Sequence, residues 1–115
     1  MRVAIRCIVV ALALVVLAPA VGAHERGSGP SIATQVVRVR VIDFAFRPRN
    51  IMVAHGTVVR WVNRGDVTHT TTSNTGLWNN SLAPGETFRR RFRRTGTFAY
   101  HCTIHPQMTA RVIVT

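Results

Sequence analysis

Tyr100-His101-Cys102-Thr103-Ile104-His105-Pro106-Gln107-Met108, close to the C-terminus, sets a thiol, an imidazole and a thioether at the spacing C-x2-H-x2-M. Thr97 to Cys102, entered through Gly96, reads as a β-run, and so does Thr109 to Thr115. The motif therefore starts where one strand ends and finishes where the next begins. A second imidazole, His69, lies upstream in a Thr-rich stretch after another strand-like run. A loop between two strands of a sandwich can hold three donors rigidly while the distant imidazole arrives from another strand end. A metal held by all of them would tie two parts of the fold together.

Taken singly these residues are ordinary: His69 reads as a surface or core imidazole, Met108 as core filling, Cys102 as a small buried hydrophobe. Together they are a specific donor set. Soft sulfur ligands suit copper, and two imidazoles with one thiolate in a plane plus a weak axial Met describe a type 1 site. Such a set is acceptable to both Cu(I) and Cu(II), so little reorganises when an electron moves. A structural zinc site fits less well, because Met is a poor zinc ligand and one thiolate is few.

The N-terminus reads as an export leader spanning residues 1–23. Arg2 and Arg6 form a basic region, Ile8 to Ala18 an apolar one, and Val21-Gly22-Ala23 a small-residue cleavage site. The uncharged stretch from Cys7 to Ala23 sits at the lower edge of the roughly 20 residues a membrane span needs, so an uncleaved anchor is the alternative. Cleavage would place the protein in the periplasm or another extracytoplasmic compartment. It would also remove Cys7, leaving Cys102 as an unpaired cysteine that a metal thiolate explains. Residues 24–33, rich in Gly, Ser and Pro, read as a flexible arm, and residues 34–115 as one small domain.

All 15 basic residues are arginine. From residue 24 onward 13 Arg face Glu25, Asp43, Asp66 and Glu86, a formal charge of +9. That excess favours an acidic partner through steering and on-rate. Export and the donor set argue against nucleic acid.

Repeated short β-rich runs separated by turns, with no helical period, predict an antiparallel sandwich. Gln35 to Ile42 alternates Val37, Val39 and Val41 against Arg38 and Arg40. Asn50 to Ala54 and Thr57 to Asn63 flank His55-Gly56 as an expected hairpin, and Leu82-Ala83-Pro84-Gly85-Glu86 is a turn into Thr87 to Arg94. In that last run Phe88, Arg90 and Phe92 share a face, so Arg90 either snorkels at a sheet edge or a bulge shifts the register.

From about Val39 to the C-terminus the chain resembles the cupredoxin family, in its plastocyanin- and amicyanin-like branch. The resemblance rests on Ile51-Met52-Val53-Ala54-His55-Gly56-Thr57-Val58-Val59-Arg60-Trp61-Val62-Asn63, on Leu82 to Phe88, and on Gly96 to Met108, whose loop has the short amicyanin spacing. It implies an all-β Greek-key sandwich of about seven to eight strands. It also implies one type 1 copper ion held by His69, Cys102, His105 and Met108. The exposed ring edge of His105, flanked by Ile104 and Pro106, would be the electron port. One departure stands out: the family's usual Asn after the first His ligand is Thr70 here, expected to bond across to Thr103.

The sequence thus predicts an exported, monomeric one-electron carrier, not an enzyme, whose redox partners present acidic docking surfaces to Arg89, Arg91 and Arg93. Membrane association is expected only through an uncleaved leader. The rival readings are a copper delivery protein, disfavoured by the thiolate, and a copper enzyme subunit with a second metal at an oligomer interface through His101 or His55. His101 points away from Cys102 by strand alternation, but too few imidazoles remain for a catalytic copper. His55 and His24 are expected to be exposed, and Asn79-Asn80-Ser81 matches a low-information glycosylation sequon. Trp61 is expected in the core, and Trp78 either there or at the rim of the copper face.

Overall fold

Alternation builds the first sheet. Val39 and Val41 of β1 (Val36–Ile42) turn inward, as do Phe46 of β2 (Ala45–Arg47), Val59 and Trp61 of β4 (Thr57–Asn63) and Phe92 of β7 (Thr87–Phe92); all are buried. These strands lie in the order β2-β1-β4-β7. The second sheet takes β3 (Asn50–Val53), β5 (His69–Ser73), β6 (Asn79–Leu82), β8 (Gly96–His101) and β9 (Thr109–Val114), in the order β3-β9-β8-β5-β6. The computed structural model describes residues 13–19, 22, 29 and 31–115. The expected leader and arm fall largely outside them, and residues 32–115 form one compact unit. Among the described residues no helix is long and apolar enough to cross a membrane.

The all-β sandwich is as expected, with three differences. It has nine strands rather than seven to eight. The sheets are mixed, because β1 pairs parallel with β4 and β3 parallel with β9. His55-Gly56 is no hairpin, since β3 and β4 belong to different sheets. Its Gly56, at φ 87°, instead turns the chain from one sheet to the other. Five of the eight connections cross in this way, so successive strands face each other across the core more often than they pair. The turn at Ala83-Pro84-Gly85-Glu86 is as read. Pro84 presets the second position, Gly85 supplies φ 85°, and the Glu86 N–H closes on the Ala83 carbonyl at 2.9 Å.

The Arg90 conflict is resolved by the edge. β7 is the outer strand of its sheet, and its pairing with β4 runs unbroken from Thr57–Phe92 to Val62–Thr87, so there is no bulge. Arg90 lies half-buried along the aromatic flank, with its guanidinium 5.1 Å from the Trp78 ring centroid and 5.8 Å from that of Phe92. It donates to the Leu77 carbonyl at 3.3 Å. The stem packs and the head reaches solvent.

Both tryptophans are core. Trp61, fully buried, stacks on Phe88 at 5.6 Å and meets Tyr100 edge-on at 5.5 Å, while Trp78 meets Phe92 edge-on at 5.6 Å. The Trp78 Nε1–H donates to Thr71 Oγ1 at 2.8 Å, which gives a buried hydroxyl of β5 a partner. Trp61→Ala should cost about 3–5 kcal/mol in urea unfolding. Arg90→Gln should cost about 1 kcal/mol, since a partly exposed cation–π contact is worth little more.

Candidate metal centre

Three side chains from separate places in the sequence converge at one end of the sandwich. His69 opens β5, Cys102 follows β8 directly, and His105 sits midway along the β8–β9 connection. His69 and Cys102 are both 0% exposed, and His105 is half-buried. The His69 and His105 Nδ1 atoms are 3.2 Å apart, and Cys102 Sγ lies 4.0 Å from the first and 3.7 Å from the second. An ion bonded in a plane to two nitrogens at about 2.0 Å and one sulfur at about 2.3 Å needs separations of roughly 3.5 and 3.7 Å. The trio fits such an ion. Met108, 2% exposed, ends the loop just before β9.

The loop is held by its own backbone. The Cys102 N–H donates to the Met108 carbonyl at 3.0 Å, and the Met108 N–H to the His105 carbonyl at 2.9 Å. From the neighbouring strand, the Thr70 N–H donates to Cys102 Sγ at 3.3 Å. Its Oγ1 accepts the Thr103 N–H at 2.8 Å and lies 3.2 Å from Thr103 Oγ1. Thr70 therefore makes the expected bridge to Thr103 and fastens the ligand loop to β5.

His69 is oriented by residues the sequence did not point to. Its Nε2 meets Asp43 Oδ1 at 2.5 Å, which leaves Nδ1 facing Cys102 and His105. The other oxygen of Asp43 accepts the Asp66 N–H at 2.7 Å. That amide, with His69 beside it, holds the Asp43 carboxyl below its ordinary range, so the acceptor stays ionised. Gly65 makes this possible, because any Cβ there would fall on the Asp43 carboxylate. The loop carrying Gly65 is itself pinned by buried Asn63. The Asn63 Nδ2 donates to the Val67 and Leu82 carbonyls at 2.8 Å each, and its Oδ1 accepts the Gly65 N–H at 2.9 Å.

Phe44, next to Asp43, is the second residue the sequence missed. It is 52% exposed, with its ring 4.7 Å from that of His105 and 5.9 Å from that of His69, both edge-on. With Ile104, also 52% exposed, and exposed Pro106, it gives His105 an apolar surround. His101 stands on the outward side of β8, its Nδ1 2.5 Å from Asn74 Oδ1, and His55 is exposed. Among the described residues His69, Cys102 and His105 form the one cluster of three such ligands.

Asp43→Asn should weaken Cu(II) binding by roughly 10–100-fold in competition titrations while unfolding stability changes little, because the carboxylate fixes a ligand ring rather than the core. Gly65→Ala should have the same effect by displacing Asp43.

The profile of the Cupredoxin-like domain family matches residues 6–114. Amicyanin of Paracoccus denitrificans is 26% identical over 89 residues, covering 72% of this chain and 68% of that protein. Among solved structures, a purple cupredoxin from Nitrosopumilus maritimus superposes with a TM-score of 0.64 at 26% identity, over 69% of this chain and 99% of that one. A Cu-containing nitrite reductase from Thermus scotoductus gives a TM-score of 0.62 at 28% identity, over 69% of this chain but only 22% of the enzyme. With its family match over nearly the whole chain and its sandwich closed around a His-Cys-His cluster, this protein belongs to the cupredoxin-like family.

Proposed function

We propose that the chain is a type 1 copper protein that carries one electron at a time between redox partners. The observation that carries this reading is the triangle of His69 Nδ1, Cys102 Sγ and His105 Nδ1, with separations of 3.2 to 4.0 Å. Met108, buried at the end of the same loop, would complete the set with its thioether. Copper held there would supply a one-electron Cu(II)/Cu(I) couple. The residues do the rest: the Thr70 N–H stabilises the thiolate, Asp43 keeps His69 in one tautomer, and the β8–β9 loop holds His105 and Met108 at fixed places. A ligand set fixed in this way need not rearrange when the charge changes.

The port is the edge of His105 within Phe44, Ile104 and Pro106, an apolar rim that can be desolvated against a partner. A charge of +9 from residue 24 onward favours acidic partners on encounter. The leader reading places the protein in the periplasm or another extracytoplasmic compartment, with domain boundaries at residues 24 and 34. We read the chain as a monomeric carrier and not an enzyme, because His101, the residue that would wire a second copper, is engaged by Asn74 on the outer face.

Copper-loaded protein should be intensely coloured through thiolate-to-Cu(II) charge transfer, and Cys102→Ser should abolish the colour, since a hydroxyl does not replace the soft donor. A colourless wild-type Cu(II) protein would refute the assignment. Met108→Leu should keep the colour and raise the reduction potential in voltammetry, because losing the axial donor destabilises Cu(II) more than Cu(I). An unchanged potential would make Met108 packing only.

A further inference from the structure

The outward face of the four-stranded sheet carries a charge array that the metal centre does not use. Arg38, Arg60 and Arg89 form one row across β1, β4 and β7, each the register partner of the next. Arg40 and Arg47 are partners across β1 and β2, and Arg91 stands opposite Val58. All six alternate with the buried Val39, Val41, Phe46, Val59, Trp61 and Phe92, so they share one side of the sheet. None has a carboxylate partner among the described residues. Asp43 is engaged at His69, and Glu86 accepts the Ala83 N–H. Arg60 Nε is buried with no acceptor at all.

Like charges directly opposite on neighbouring strands destabilise a sheet. The row sets three of them side by side, with strands only about 4.8 Å apart. A general preference for arginine would charge both outer faces alike, and it does not. The five-stranded sheet turns Asn50, Thr72, Ser81, Thr97 and Thr109 outward, with Arg111 its one strand arginine and Arg49, just before β3, bonded to Thr109 beside it. The charge is therefore segregated onto one face at a cost in stability.

We propose that this face is a docking surface for a bilayer bearing anionic phospholipid headgroups. Guanidinium forks match phosphate oxygens two at a time. The array is broad, spread over four strands, and holds none of the Trp and Tyr side chains that, together with Arg, anchor protein–protein interfaces. It also faces away from the electron port: the arginines stand on the outer face of one sheet, whereas His105, with Phe44, Ile104 and Pro106, reaches the surface at the end of the sandwich. A bilayer held there leaves the His105 end of the sandwich open to partners. The sequence alone ties membrane association to an uncleaved leader; this face supplies a route independent of it.

The test uses residues 24–115, which contain all nine strands and every core residue. Co-sedimentation is measured with vesicles of phosphatidylglycerol mixed with phosphatidylcholine, and with phosphatidylcholine alone. Binding should occur with the anionic vesicles only and fade with salt. Arg38→Gln with Arg89→Gln should weaken partition by about 25-fold, at roughly five-fold per arginine near the surface. Arg94→Gln with Arg111→Gln, matched in charge but off the face, should change it far less, and both variants should unfold like the parent. Equal losses in the two variants would reduce the effect to net charge and overturn the proposal. So would failure to bind anionic vesicles, including the case where the face variant instead slows exchange with an acidic redox protein.

Discussion

Three lone-pair donors must be held within 4.0 Å of one another, and most of this fold can be understood from that constraint. Two imidazole nitrogens and a sulfur at such separations gain nothing from each other, so the scaffold has to impose the arrangement. It does so with parts that are rigid for independent reasons. His69 is the first residue of a paired strand, Cys102 directly follows another, and the seven-residue connection from Cys102 to Met108 is closed by two backbone hydrogen bonds. Thr70 joins the two sides. Its amide reaches the sulfur and its hydroxyl reaches Thr103, so one short side chain bridges the ligand loop and β5. Below them the aromatic cluster around Trp61, Trp78 and Tyr100 keeps the sheets at a fixed separation.

How much of this was legible depended on whether a residue's role left a local trace. The ligand loop did, because three unusual donors stand within seven residues. β1, β4, β7 and β9 were readable from Val, Ile, Trp and Phe alternation. β5 and β6 were not, because their inward positions include His69, Thr71, Ser73 and Asn80, polar groups that mask the period. Sheet membership was hidden at His55-Gly56, since the same two residues can close a hairpin or carry the chain across to the facing sheet. Asp43 left no trace at all. It is 26 residues from His69 in sequence, and only the packing of the β1–β2 turn against the β4–β5 loop brings them together. Gly65, which clears the space for it, looked like an ordinary loop glycine.

The fold also separates surfaces that the charge count merges. Arginines that read as one basic strand in the sequence belong to a face drawn from four strands, turned away from the sheet that carries the ligand loop. The metal end is by contrast apolar, with Phe44 and Ile104 half-exposed beside His105. Electron exchange through a small desolvated rim and attachment through a broad charged face make different demands on a surface. A sandwich can meet both because strand ends and sheet faces are distinct places.

The measurement that bears most directly on the metal centre is X-ray absorption at the copper edge, on the protein in both oxidation states at neutral pH. One short sulfur and two nitrogen scatterers are expected, from Cys102, His69 and His105, with the same shell retained after reduction. A shell of nitrogen and oxygen alone, or one that gains or loses ligands with the oxidation state, would contradict this coordination.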